Sequence, residues 1–306
     1  MKKFSFLYLI PVLLMLTVPF QTSADDFVRG DCDQDGNVTI ADVTCLIDYL
    51  LNDKWPDEAP IAPDTLTFTV TGIANSETFS MIKVKKGSFI MGATAEQGSR
   101  AESDEKPAHA VTLTNDYYIG VTEVTQELWL AVMGVNPSYY NSGSQRPVEH
   151  VSWNQCQEFI AKLNEKTGLQ FRLPTEAEWE FAARGGSATN SYMYSGSNNI
   201  YDVSWYLEGR PQQVAKKMPN ALGLYDMSGN VAEWCQDWYG SYPNAAVTDP
   251  TGPTSGTYKV YRGGYTYPYS TTTSESTNKH RVSARCKMSP SSSASSSLLV
   301  GLRLAL

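Results

Sequence analysis

The residues best spaced for chemistry lie near the start of the chain. Asp31, Asp33, Asp35, Thr39 and Asp42 place side-chain oxygens at positions 1, 3, 5, 9 and 12 of one loop. The backbone carbonyl of Asn37 falls at position 7, and Gly36 supplies the turn at position 6. A hard cation such as Ca²⁺ takes about six or seven oxygens at about 2.3–2.6 Å, and this alternation points successive carboxylates at one centre. The competing reading is a solvated acidic turn ahead of a helix. The regular spacing favours a structural Ca²⁺ site.

The second chemical feature is an absence. Cysteines occur at 32, 45, 156, 235 and 286, and none lies between Arg262 and Arg285. An odd number of thiols leaves at least one unpaired within the chain, and their spacings match no zinc site. Of the three histidines, His109, His150 and His280, none belongs to an HExxH pattern. The stretch from Gly264 to Arg281 instead reads YTYPYSTTTSESTNKH, and residues 289–297 are again dominated by Ser. Tyr with small hydroxyl residues makes an adaptable recognition surface, because Tyr gives contact area at low entropic cost. Tyr265, Tyr267, Tyr269 and His280 are therefore candidate ligand-binding residues. The alternative is a solvated low-complexity loop.

Several elements would have to position these groups. Residues 25–53 carry the acidic loop and one amphipathic helix, and residues 54–64 form a Pro-punctuated linker. From Thr65 onward the pattern alternates as β-structure does, through Leu66–Val70 and then Met81–Val84. Helices are expected over Thr125–Val132 and Asn154–Thr167, the latter with Cys156, Phe159, Ile160 and Leu163 on one face. A third begins with Thr175 as N-cap to Glu178 and stops at Gly185-Gly186. Trp153, Trp179, Trp205 and Trp234 are expected as buried anchors. Arg172, Glu176, Glu178 and Arg184 are expected to form a buried ion-pair and capping network rather than acid–base machinery.

Composition narrows the functional classes. Acidic residues outnumber basic ones 32 to 24, and no basic cluster is available to follow a phosphate backbone, so nucleic acid is excluded as an expected partner. Lys2 and Lys3, the apolar run Phe4–Phe20 and the small residues Thr22-Ser23-Ala24 read as a signal peptide over residues 1–24. The expected location is outside the cytoplasm: secreted, periplasmic or at the cell surface. No membrane span is expected after cleavage.

Longer blocks carry a family resemblance. They include Phe89-Ile90-Met91-Gly92, Val151-Ser152-Trp153, Arg172-Leu173-Pro174-Thr175-Glu176-Ala177-Glu178-Trp179, Gly223-Leu224-Tyr225-Asp226-Met227-Ser228-Gly229-Asn230-Val231-Ala232-Glu233-Trp234, Arg262-Gly263-Gly264 and Gly301-Leu302-Arg303-Leu304. Together they resemble the formylglycine-generating enzyme (sulfatase-modifying factor) family over about residues 78–306. The resemblance implies an α+β, loop-rich variant of the C-type lectin fold across residues 65–306, preceded here by the small EF-hand-like helical segment. It also implies a structural Ca²⁺ at Asn230, Val231 and Glu233. The family's enzymes bind Cu(I) through two cysteines placed between the Arg-Gly-Gly block and an Arg-x-x-x-Arg block. They then oxidise a sulfatase cysteine to formylglycine. Cu(I) requires soft thiolates, and this interval offers hydroxyls, a carboxylate and His280, so copper is not expected. Cys286, just past Arg285, is expected as a buried or disulfide-bonded thiol, with Cys235 its candidate partner.

The segment around Asp31–Asp42 resembles one repeat of a dockerin, which normally carries two. It makes a cohesin-like module a second partner class beside a protein or peptide ligand. The functional expectation is an exported, calcium-stabilised binding protein without the catalytic cysteine pair. The alternatives are a formylglycine-generating oxidase, a cell-surface scaffold component and a retroelement-diversified lectin-fold receptor. Receptors of the last kind concentrate variable residues ahead of a final Gly-x-Arg-Leu strand. Substituted adenines in AAC-type codons there give chiefly Ser, Thr, Tyr, Asn, Ala and Pro, the composition of residues 265–280 and 289–297.

Overall fold

Alternation of apolar and polar residues builds the first sheet. The computed structural model describes residues 64–306, apart from 73–75, 142, 144, 189–190, 267–276 and 293–297. The signal, acidic-loop and linker expectations for residues 1–63, together with Tyr267 and Tyr269, lie outside the described residues. β1 (Thr65–Thr71) exposes its threonines and turns Leu66, Phe68 and Val70 inward. It pairs antiparallel with β2 (Ser76–Val84), which sets Phe68 opposite Phe79 with ring centroids 5.4 Å apart. Phe171 closes edge-on against Phe68 at 5.3 Å.

Two further sheets complete the β-structure. β3 (Gly87–Met91) pairs antiparallel with β4 (His109–Leu113), whereas β5 (Tyr117–Gly120) joins β2 in the first sheet. β6 (Ala232–Trp238) lies inside the largest sheet, flanked by β8 (Lys259–Arg262) antiparallel and β10 (Val300–Leu302) parallel. β9 (Cys286–Met288) adds to β8, and the short β7 (Val247–Thr248) runs parallel to β4.

The helices start where their caps dictate. Thr125 accepts the Leu128 N–H to open α1 (Gln126–Met133). Ser152 and Gln155 form a capping box at the start of α2 (Trp153–Thr167), which buries Cys156, Phe159, Ile160 and Leu163. Thr175 and Glu178 do the same for α3 (Glu176–Ala183). Each box satisfies two backbone N–H groups that a helix start otherwise leaves open. A single turn, α4 (Ile200–Val203), follows. No helix among the described residues is long and apolar enough to cross a membrane.

The expected anchors divide into two kinds. Trp179 and Trp234 are wholly buried, and so is Trp129, which stacks nearly parallel on Phe159 at 4.8 Å. Trp153 and Trp205 are only half-buried. Trp153 stands at the first position of α2, where Lys259 lies over one face of its ring at 4.2 Å. Long cationic stems cover such rings without full burial.

Candidate functional site

Both ends of the cysteine-free interval are fixed by buried arginines. Arg262, at the end of β8, donates to Glu176 Oε1 at 2.7 Å and to Glu180 Oε2 at 2.6 Å. Arg285, just before β9, grips both oxygens of the same Glu176 at 2.6 and 2.7 Å. Arg281 holds Glu105, whose Oε2 also accepts from Ser283 at 2.6 Å. The first turn of α3 thus serves as a common anchor for two points 23 residues apart in sequence, by the difference between 285 and 262. Burial alone would raise these carboxyls. The charges of Arg285 and Arg262 hold Glu176 below its ordinary value, and hydrogen bonds from Arg281 and Ser283 do so for Glu105. The remaining expected pairs also form, Arg172 with Glu178 at 2.6 Å and Arg184 with Glu180 and Glu96 at 2.8 Å.

On that frame, the flanks of both Ser/Thr/Tyr-rich segments come to one end of the largest sheet. Thr266 is fully buried; its N–H donates to the Asn230 carbonyl and its hydroxyl accepts from the Glu208 N–H, both at 3.0 Å. Two residues beyond Asn230, the Ala232 N–H donates to the Leu299 carbonyl at 2.9 Å. The residue before 267 and the residues after 297 are therefore tied to adjacent points at the start of β6. Gly264 has φ +70°, and a Cβ there would sit 2.9 Å from the Lys279 carbonyl, so the outgoing and returning flanks press together. Lys279 is bridged to Glu102 at 2.6 Å.

The candidate ligand-binding residues occupy different layers. Tyr265 is half-buried against the core that includes Val300 and Trp234. His280 is fully buried, edge-on to Tyr206 at 6.0 Å, and its carbonyl accepts from Ser228 Oγ at 2.8 Å. It belongs to the floor beneath the flanks rather than to a rim.

The thiols and the proposed calcium ligands are arranged for structure. Cys156, Cys235 and Cys286 are all free, so the expected pairing of Cys235 with Cys286 is not made. Burial raises all three thiol pKa values, which keeps them protonated rather than thiolate. Both oxygens of Glu233 are engaged by Arg303, at 2.7–3.1 Å, and Oε2 also by Trp179 Nε1 at 2.6 Å. Asn230 Oδ1 accepts from the Gln212 N–H at 2.8 Å. Glu123 and Asp226 are buried carboxyls held toward their neutral form. Burial, then the Asp226 charge, pushes Glu123 well up, while burial brings Asp226 to about 6.

Sequence reasoning missed Glu105, Glu123 and Asp237. Asp237 Oδ2 accepts the Glu176 N–H at the start of α3 at 2.9 Å. Burial, then the nearby Glu176 charge, raises its pKa from 3.8 to about 7. The folded state therefore binds a proton that the unfolded state has released. Stability from this group is present below about pH 4 and lost as pH rises toward 7, by on the order of 4 kcal/mol. Asp237→Asn should gain Tm relative to the parent as pH rises across that window. Parallel Tm curves from pH 4 to 8 would show that Asp237 is charged at no cost.

The comparisons with known proteins decide the family. The model of the "Sulfatase-modifying factor enzyme 1-like domain" matches residues 68–306. The chain belongs to this family. It is 31% identical over 252 residues to "Chaperone protein LppX" of Paenibacillus barcinonensis, covering 65% of this chain and 85% of that one. It is 35% identical over 164 residues to "Formylglycine-generating enzyme" of Streptomyces coelicolor, covering 48% of this chain and about half (49%) of the enzyme. Among solved structures, "Treponema denticola variable protein 1" aligns with a TM-score of 0.67 at 33% identity, over 79% of this chain and 99% of that one. The family fold is thus a mixed arrangement of sheets with few helices. Within it, this sulfatase-modifying-factor-like domain carries Ser, Thr and Tyr in the interval before Arg281.

Proposed function

We propose that this protein is an exported binding protein in which the family's framework presents a recognition surface in place of copper chemistry. Its surface is built from residues 265–280 and 289–297 and takes a protein or peptide ligand. One observation carries the reading: the described flanks of both segments are tied to the start of β6, on a frame fixed by buried Arg–Glu pairs. The interval they bound contains no thiol to hold Cu(I). The fold belongs, on this proposal, to the C-type lectin class, and Ca²⁺ binds the Asp31–Asp42 loop to order the segment ahead of the domain. A random peptide library displayed on phage tests the ligand claim. Selected peptides should bind the full chain and fail to bind a form with Gly/Ser in place of 267–276 and 293–297. Equal binding to both forms would place recognition elsewhere.

A second reading specifies the origin of that surface. The similarity to a structure named a variable protein, together with the Ser-, Thr- and Tyr-rich amino-acid composition of residues 265–280 and the Ser-rich composition of residues 289–297, supports a retroelement-diversified receptor. A near-copy of the gene's 3′ end beside a reverse transcriptase is the expected finding. A complete genome lacking one would remove this reading.

A further inference from the structure

The opposite end of β6 holds a second concave site. A cavity of about 330 Å³ is lined there by His109, Glu176, Asp237, Trp238, Tyr242 and Arg285. Its polar groups are unevenly satisfied. Arg285 makes four hydrogen bonds, two to Glu176 and one each to the Asp104 and Gly240 carbonyls, and the Tyr242 hydroxyl lies 3.2 Å from Glu176 Oε1.

Two acceptors are left over. Asp237 is 4% exposed and lines the cavity, and its side chain accepts the Glu176 N–H through Oδ2 at 2.9 Å, which leaves Oδ1 for a ligand. His109 Nδ1 lies 3.2 Å from the Pro107 carbonyl, which can only accept. Nδ1 therefore carries the hydrogen, and Nε2 of the neutral ring is an acceptor.

Charge agrees with this count. Glu176 and Glu180 pair with Arg262, Arg285 and Arg184, and Glu96 completes the set, so three carboxylates meet three guanidinium groups. Asp237 is the carboxylate outside that balance. Lys259 donates instead to the Gln236 carbonyl at 2.7 Å and lies over the Trp238 ring at 4.0 Å. Above about pH 7, where Asp237 is ionised, it is a buried carboxylate without a contacting cation, and facing a cavity of this size it favours a ligand rich in N–H donors.

We infer that this cavity binds a guanidinium or ammonium head on a short apolar stem, with Asp237 Oδ1 and His109 Nε2 as its acceptors. Such a head could arrive on a free small amine or on an Arg or Lys side chain of a peptide. The full chain would be titrated calorimetrically with n-propylguanidinium and with the neutral isostere n-propylurea. For a ligand of this size, a roughly millimolar Kd is expected for the cation and no saturable binding for the urea. Asp237→Asn should weaken the cation by at least about tenfold. Thr251→Trp, at an exposed position on the cavity wall, should do the same without touching the buried network. An acetylated Gly-Arg-Gly amide binding as well as the free probe would identify a peptide side chain as the natural source. Its exclusion, with the free probe still bound, would identify a small amine. No saturation by either cation to about 20 mM would overturn the site. So would equal binding of the urea, or full binding by both variants.

Discussion

Glu176→Gln should lower the Tm of the protein by on the order of 10 °C at neutral pH. The substitution keeps the shape of the side chain, removes its charge and turns one of its two acceptor oxygens into an NH2 donor facing the guanidinium groups. Arg262 and Arg285, 1% and 3% exposed, would then share a neutral amide deep in the core. Breaking a buried pair by removing one partner costs about 3–5 kcal/mol, because the charges left behind stay desolvated. Here one carboxylate serves two guanidinium groups. Adding Arg285→Met should recover part of the loss, since an apolar side chain is cheaper to bury than an unpaired cation. The parent's own acid limb has the matching sign. Glu176 and Glu105 have depressed folded pKa values, so their contribution is present above the ordinary carboxylate range and lost as pH falls through the folded values. A Tm change under about 2 °C for Glu176→Gln would mean the clamp is not holding the frame.

Replacing residues 267–276 and 293–297 with Gly and Ser should do the reverse. Tm should stay within about 2 °C while binding of peptides selected on the parent falls below detection. The reason lies in where the described core ends. Thr266 and Leu299 are fully buried and hydrogen-bonded, and Lys279 is bridged to Glu102. The described stabilising contacts are made by the flanks, and longer or freer connections between fixed ends add little loop-closure cost. A large Tm loss with binding retained would assign these segments to the core instead of the surface.

Much of the frame was legible because its signals are local. Thr175 announces the start of α3 within three residues of its partner Glu178, whereas Thr125 and Ser152 prove to be the caps of helices expected to begin at Thr125 and Asn154; alternation in Thr65–Thr71 fixes which face of β1 turns inward. The ion-pair network was legible in kind but not in wiring. Arg281 finds Glu105 across 176 residues, a pairing that only the tertiary fold selects. Asp237 carries no sequence signature at all. Its importance comes from burial beside Glu176, which no spacing rule expresses. The disulfide expectation failed for a related reason: two cysteines sharing a chain do not share a site unless their strands place them within bonding reach.

The claim that the chemistry is gone has one direct measurement. The purified full chain, loaded with Cu(I), would be incubated in air with a peptide bearing a Cys-x-Pro-x-Arg motif and followed by mass spectrometry. The account predicts that the peptide thiol is recovered without aldehyde, whatever the excess of copper. Conversion of the cysteine to formylglycine over several turnovers per chain would contradict it.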